Sequence, residues 1–164
     1  MRWGRALVGV ALVLLLSACG ARYNPLFIGG GASKPVIGWR GCPGVDHNGI
    51  EEVGLYKWAK NGTADNPGQL LWHIRADKNN ILSLIALGEA PTGFTTRLPL
   101  TAHLDSGTTY ALRTNMASND LVSGFLTFRP DQLAVGRIVF NSGKAESLED
   151  YEGRDNEDFG CFTD

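Results

Sequence analysis

The sequence predicts an all-β protein, a single antiparallel β-sandwich of seven or eight strands. Two observations lead to this prediction. Short segments in which apolar and polar residues alternate recur along the chain, and clusters of Gly, Pro, Asn and Asp separate them about every ten residues. Outside the first nineteen residues, no window repeats its apolar residues at the period of an α-helix.

The segment 70–76 shows the alternation most clearly. Its even-numbered positions are apolar and include Trp72, whereas His73 and Arg75 take the opposite face with Leu71. Turn signals such as Asn61-Gly62 and the 90–93 stretch end the strands. We predict extended segments at 34–40, 52–59, 70–76, 81–87, 94–104, 108–116, 121–129 and 135–140.

The first nineteen residues have the organisation of an export signal. Arg2 and Arg5 precede an apolar run of about eleven residues, which is too short to cross a bilayer as a mature helix. The quartet Leu16-Ser17-Ala18-Cys19 resembles the lipobox of bacterial lipoproteins. This resemblance implies removal of residues 1–18 and lipidation of Cys19, which would anchor the protein to a membrane. The alternative is an ordinary secretory signal, in which Cys19 is incidental.

Removal of 18 of the 164 residues leaves 146, enough for one domain with a sizeable core. We expect residues 19–33 to form the lipidated N-terminus and a flexible tether, because Gly29-Gly30-Gly31 is typical of a linker. Residues 34–164 are expected to form the sandwich domain, which includes an acidic C-terminal tail.

The remaining cysteines, Cys42 and Cys161, form an even pair in an exported chain, so we predict a disulfide between them. Its loop of about 120 residues would stabilise the fold by about 4–5 kcal/mol in the chain-entropy model. A redox or metal-binding pair is the alternative, although neither cysteine has the Cys-x-x-Cys spacing.

The segment 104–113 resembles the E–F corner of fibronectin type III and related immunoglobulin-like domains. There a leucine, a turn, Gly107-Thr108 and Tyr110 occur in the same order, although Ser106 replaces the usual proline. The resemblance implies a tyrosine corner, in which the Tyr110 ring enters the core and its hydroxyl bonds to the turn backbone. Leu112 and Met116 would share the inner face with Tyr110, and Arg113 and Asn115 would lie outside. Trp72 is a candidate for the buried tryptophan of the sandwich.

A looser likeness lies in Leu71-Trp72 and the segment 88–94, which are similar to small actinobacterial lipoproteins of unassigned function. No activity carries over from that group. A nucleophile elbow, a Ser-x-x-Lys motif and a complete phosphate loop are all missing from the sequence, and we expect no cofactor. We interpret His73 and His103 as surface histidines, and an envelope hydrolase that uses one of them with nearby acids is the alternative.

Two further features give candidate sites. In the acidic C-terminal stretch, Asp150, Glu152 and Asp155 could coordinate Ca²⁺, although the spacing does not match an EF-hand and a solvated tail is the simpler interpretation. The segment 81–87 is apolar on both faces. Either other parts of the chain cover it, or its residues form a surface for a partner. The residues of that surface would be Ile81, Ile85 and Leu87.

Residues 20–145 carry a net charge of +3, without a basic stripe that alternates with aromatic residues, so we expect no nucleic-acid binding. The sequence predicts a lipid-anchored binding or scaffolding module on the extracytoplasmic face of the cell membrane or outer membrane. It predicts no catalysis, and an envelope protein is the expected partner. An inhibitor or a carrier of apolar ligands is a further alternative, which a deep apolar cavity would favour.

Overall fold

The computed structural model describes residues 24–42, 49–78, 80–116, 123–141 and 143–159. Within these ranges the chain is nearly all β, as predicted, with ten strands, one five-residue α-helix and two short 3₁₀ helices. The strands are β1 Leu26–Gly29, β2 Val36–Trp39, β3 Glu52–Trp58, β4 Gly68–Ala76, β5 Leu84–Ala86, β6 Phe94–Leu98, β7 Tyr110–Thr114, β8 Phe125–Phe128, β9 Arg137–Phe140 and β10 Lys144–Ser147. The helices are α1 Leu148–Glu152 and the 3₁₀ helices Pro130–Gln132 and Asn156–Phe159.

The strands form two antiparallel sheets of five strands each. The first sheet has the order β10-β9-β1-β2-β5 and the second the order β6-β4-β3-β7-β8. One cluster of buried apolar side chains draws on both sheets and includes Leu26 and Ile37 from the first and Leu55 and Trp72 from the second. The protein is therefore a two-layer sandwich, which confirms the predicted architecture.

Each of the eight predicted segments overlaps an observed strand, but two strands were missed. One of them, β1, corrects the expectation of a flexible tether through residue 33, because it lies in the middle of the first sheet between β9 and β2. The glycine run that suggested a linker serves packing and turning instead. A Cβ atom on Gly29 would lie 2.9 Å from the Ile138 side chain, and Gly30 turns the chain with a φ of +81°.

The predicted tyrosine corner is confirmed in its geometry. The Tyr110 ring is buried, and its hydroxyl oxygen accepts a hydrogen bond of 2.9 Å from the Asp105 backbone N–H. This bond ties the turn before β7 to the strand itself. The fibronectin type III character of the whole sandwich stays a prediction.

The prediction for the end of β7 was wrong, because Met116 is 40% exposed and Asn115 only 1%. Asn115 has a φ of +53°, which turns the chain and points the side chain inward. Its Oδ1 atom accepts hydrogen bonds from the Glu51 and Glu52 N–H groups at 2.8 and 3.1 Å, and its Nδ2 atom donates to the Gly49 carbonyl. This amide therefore fixes the start of β3.

The partner surface predicted in segment 81–87 is also corrected. Ile85 is only 2% exposed and lies in the main core, because β5 pairs with β2 and places Ile85 opposite Ile37. Leu87 is partly buried and packs against the same core. Ile81 is half-buried, and its side chain packs against Gly49. The outward residue of β5 is Leu84, which is 59% exposed.

A matched pair of substitutions tests this assignment. Ile85→Asp would bury an unpaired charge, so we expect a loss of about 3–5 kcal/mol in the free energy of unfolding, or no folded protein. Leu84→Asp adds the same charge to solvent and should change stability by less than about 0.5 kcal/mol. Urea unfolding of both variants measures the difference. Equal stability of the two would contradict the placement of Ile85 in the core.

The corner hydrogen bond can be tested in the same way. Tyr110→Phe leaves the Asp105 N–H without its partner, and we expect a loss of about 1–2 kcal/mol in the free energy of unfolding. Tyr56→Phe is the control, because the Tyr56 hydroxyl bonds to no other described residue, and its loss should stay below about 0.5 kcal/mol. Similar losses in both variants would show that the corner bond adds nothing specific.

Candidate functional site

Polar side chains from three adjacent strands meet on the outer face of the second sheet. In the strand register His73 of β4 lies opposite Gly54 of β3, and Gly54 lies opposite Arg113 of β7. Glu52 lies opposite Arg75 one step further along the same face. We call this group the outer-face cluster, and its members are Glu52, Tyr56, His73, Arg75 and Arg113.

The closest contact in the outer-face cluster joins His73 to Glu52. The His73 Nε2 atom lies 2.7 Å from Glu52 Oε1, and the two side chains are 25% and 15% exposed. This partly buried bond holds the imidazole ring against the sheet. The structure thus places His73 on the outer face, as the sequence predicted, and adds a carboxylate partner from the neighbouring strand.

Tyr56 covers the gap that Gly54 leaves in the middle of the outer-face cluster. A Cβ atom on Gly54 would lie 2.9 Å from Tyr56 Cε2 and 3.1 Å from the Tyr56 hydroxyl oxygen, so the ring folds back over the glycine. Burial raises the pKa of the Tyr56 hydroxyl above its usual value. The positive charge of Arg113 partly offsets this effect, and the negative charge of Glu52 adds to it. The group therefore stays protonated at neutral pH and acts as an O–H donor.

The two arginines of the outer-face cluster have few acceptors. Arg113 Nη1 donates to the Asp65 carbonyl at 3.2 Å, and its Nη2 atom lies 3.7 Å from the Asp65 carboxylate, which is fully exposed. Arg75 is half-buried and forms no hydrogen bond or ion pair with the described residues. The cluster therefore offers more hydrogen-bond donors than acceptors.

A second polar site is an open cleft at one end of the sandwich, with a volume of about 630 Å³. The loop after β1, the loop before β7 and the 3₁₀ helix after β8 form it. We call it the end cleft. Its walls are formed by Ala32, Ser33, His103, Leu104, Asp105, Ser106, Pro130, Asp131 and Leu133.

The end cleft gathers groups that nucleophilic catalysis uses, but it does not assemble them. His103 is exposed and forms no hydrogen bond with the described residues. The Asp131 carboxylate accepts a hydrogen bond of 3.0 Å from Arg129 Nε. A working nucleophile and its base lie within hydrogen-bond reach of each other. Hydroxyls, carboxylates and an imidazole on an open wall are better suited to binding polar groups of a ligand.

The predicted lipid and disulfide sites lie partly outside the described residues, which include neither Cys19 nor Cys161. Cys42 is buried in a small cluster with Phe159 near the end of the described chain. The Cys42–Cys161 bond and the lipidation of Cys19 stay predictions.

The acidic stretch forms α1 and the 3₁₀ helix Asn156–Phe159. Among the residues that the structure describes, no group of three or more His, Cys, Asp or Glu side chains could hold a metal ion. Calcium at Asp150, Glu152 and Asp155 stays a hypothesis from the sequence. Ser147 caps α1, because its hydroxyl oxygen accepts a hydrogen bond from the Asp150 N–H. The same hydroxyl donates a hydrogen bond to the Asp150 carboxylate.

The packing of this C-terminal segment was not predicted from the sequence. Tyr151 and Phe159 are buried against Phe27 and Phe140 on the outer face of the first sheet, and we call these four residues the aromatic cluster. The Arg40 guanidinium lies 3.9 Å from the Phe159 ring centroid and donates to the Tyr151 and Arg154 carbonyls at 2.9 Å. No feature of the sequence predicts that Arg40 makes these contacts.

An ion pair completes the attachment of the segment. Arg154 forms two hydrogen bonds, of 2.9 and 2.6 Å, to the carboxylate of Glu146, which is buried. This contact raises the pKa of the Arg154 guanidinium, chiefly through the hydrogen bond to Glu146. The tail expected to be solvated therefore covers one face of the sandwich, at least as far as residue 159.

The comparisons with known proteins give no relative. No family model, no curated protein and no solved structure matches the chain. Within the described ranges, no helix has the length and apolar character needed to span a membrane.

Proposed function

We propose that this protein is a lipid-anchored binding module of the bacterial cell envelope, which holds its end cleft on the side facing away from the anchor. Cys19 carries the lipid, and the module acts on the extracytoplasmic side of the cell membrane or outer membrane. Its partner is an envelope protein, and it binds without catalysis. One observation above all supports the proposal, namely that the chain enters the sandwich at the end opposite the end cleft.

The direction of β1 gives this polarity. The strand begins at Leu26 and ends at Gly29, and the loop that follows contributes Ala32 and Ser33 to the end cleft. Just before β1, Asn24 is fixed to the start of β8, where its side chain donates to the Phe125 carbonyl and accepts from the Phe125 N–H. The entry point and the end cleft thus lie at opposite ends of the strands.

A short connection would keep this polarity relative to the membrane. Only residues 20–23 separate the lipobox cysteine from Asn24, and five Cα–Cα steps span at most about 18 Å. A lipidated Cys19 would therefore hold the entry end close to the bilayer. Two or more acyl chains would make such anchoring stable.

The chemistry of the end cleft favours binding over the alternatives. A volume of about 630 Å³ is in the range of ligand-binding clefts, and its walls combine apolar side chains with hydroxyls and carboxylates. The cleft is open and partly polar, which does not favour a carrier of apolar ligands. For a hydrolase, His73 is bonded to Glu52 rather than to a hydroxyl, and His103 forms no hydrogen bond with the described residues.

Site-specific crosslinking in intact cells tests the proposal. A photoreactive amino acid replaces Ser106 in the end cleft or, as the matched control, Lys78, which is exposed between β4 and β5 near the entry end. Each version is made with Cys19 and with Cys19→Ala. We expect one dominant envelope protein to crosslink from position 106 in the anchored form, and a strong decrease in the Cys19→Ala form.

The controls separate the parts of this proposal. Crosslinks of equal strength from positions 78 and 106 would contradict the role of the end cleft. An unchanged pattern in the Cys19→Ala form would contradict the role of the anchor. If no protein crosslinks to position 106 in either form, the proposed protein partner is wrong.

A further inference from the structure

The outer-face cluster has an excess of hydrogen-bond donors that the fold itself does not use. Arg113 has five N–H donors and gives one to the Asp65 carbonyl, while Arg75 gives none to the described residues. The Tyr56 hydroxyl is a further donor without a partner among those residues. On the acceptor side, Glu52 is already bonded to His73. Water satisfies such donors in the free protein, and an anionic ligand can replace that water.

We propose that the outer-face cluster is a binding site for a small oxyanion, such as a phosphate ester or a carboxylate, held between Arg113, Tyr56 and Arg75. This site is separate from the end cleft and does not depend on the lipid anchor. Guanidinium groups bind phosphate and carboxylate through paired N–H donors, and a tyrosine hydroxyl adds one directed bond.

The strand register brings these donors together. Arg113 and His73 lie on the strands that flank β3, so their Cα atoms are about 10 Å apart, with Gly54 between them. Because Gly54 has no side chain, the Tyr56 ring fills the centre of the row and its hydroxyl lies over the glycine. Arg75 lies opposite Glu52, two residues further along β4 than His73. The side chains of Arg75 and Arg113 are long enough to extend toward an ion above that hydroxyl.

His73 and Glu52 have a supporting role in this site. Their 2.7 Å bond keeps the Glu52 carboxylate turned toward the imidazole. The bond does not remove the negative charge of Glu52, which also acts on the Tyr56 hydroxyl, but it keeps one carboxylate oxygen bonded to the imidazole instead of to the arginines that would hold the ligand. The pair therefore acts as a positioning element rather than as a direct contact.

The Asp65 carboxylate lies close to the Arg113 guanidinium, where the proposed ligand would bind. This carboxylate is fully exposed and lies 3.7 Å from Arg113 Nη2, beyond hydrogen-bond distance. Exposed ion pairs of this kind contribute little, typically below about 1 kcal/mol. An oxyanion with two or three acceptor atoms can displace this weak contact, so Asp65 is expected to compete with the ligand.

Calorimetric titration of the purified full chain with inorganic phosphate tests the proposal. We expect saturable binding with a Kd of about 1 mM or tighter. Arg113→Met and Tyr56→Phe should each weaken binding about tenfold, because each removes a hydrogen bond to a charged ligand. Asp65→Asn should strengthen binding about two- to fivefold, because it removes the competing charge. A gain of affinity cannot result from misfolding.

Arg137→Met is the matched control. Arg137 is exposed on β9 of the first sheet, so the substitution removes one positive charge from the sheet that does not carry the outer-face cluster. We expect its phosphate affinity to stay within about twofold of the parent. Urea unfolding of each variant verifies that it is folded.

Three results would overturn the proposal: no saturable binding of phosphate, an equal loss in Arg137→Met and Arg113→Met, or no gain in Asp65→Asn. Titration with acetate identifies the class of oxyanion, since tighter binding of acetate than of phosphate indicates a carboxylate ligand. Vesicles of phosphatidic acid provide the last comparison. Binding of inorganic phosphate without binding to vesicles indicates a soluble ligand, and binding of both indicates a lipid headgroup.

Discussion

The burial of Trp72 between the two sheets determines which side chains of the second sheet reach solvent. Trp72 lies opposite Leu55 in the strand register, and both are inaccessible to solvent. Because successive residues of a strand point to opposite faces, this placement turns His73 and Arg75 outward on β4 and Tyr56 outward on β3. A shift of one residue in register would bury these polar groups, so the core itself maintains the outer-face cluster. This burial has a cost, because the Trp72 indole N–H has no hydrogen-bond partner among the described residues, and a buried donor without a partner costs about 1–3 kcal/mol.

The two outer faces of the sandwich differ in what covers them. The first sheet carries Phe27 and Phe140 on its outer face, and the C-terminal segment covers them with Tyr151 and Phe159. Arg40 holds that segment by its contacts to aromatic rings and backbone carbonyls. On the second sheet the outer-face cluster remains partly accessible, and the loop with Asp65 contacts it through the hydrogen bond from Arg113. Recognition by this domain is therefore expected at the second sheet and at the end cleft.

The alternation of residues along each strand allowed the eight predicted segments to be found in the sequence, and the resemblance of segment 104–113 to an E–F corner predicted the tyrosine corner. Patterns of this kind are local, and the missed features are those that depend on partners far along the chain. The residues of β1 resembled a linker because three glycines follow one another, although Gly29 permits close packing against Ile138. Asn115 was placed on the wrong face because its positive φ is not visible in an alternation pattern. The burial of Ile85 likewise follows from pairing with Ile37, almost fifty residues earlier.

The candidate sites likewise combine local features that the sequence predicts with contacts that only the folded chain creates. The outward face of His73 was predicted from alternation, whereas its bond to Glu52 and the approach of Tyr56 and Arg113 depend on the order of three strands. The end cleft joins three loops that are distant in sequence, and only the fold brings them together. The lipobox and the cysteine pair were read from the sequence alone, and they still await a direct measurement.

That measurement is the intact mass, before and after reduction, of the full-length protein expressed in a bacterium and recovered from its membranes. We expect a chain that begins at Cys19, with the added mass of acyl groups on that residue. Reduction should add the mass of two hydrogen atoms, as expected for a disulfide between Cys42 and Cys161. A chain that retains residues 1–18, or one cleaved without added lipid mass, would contradict the anchored module.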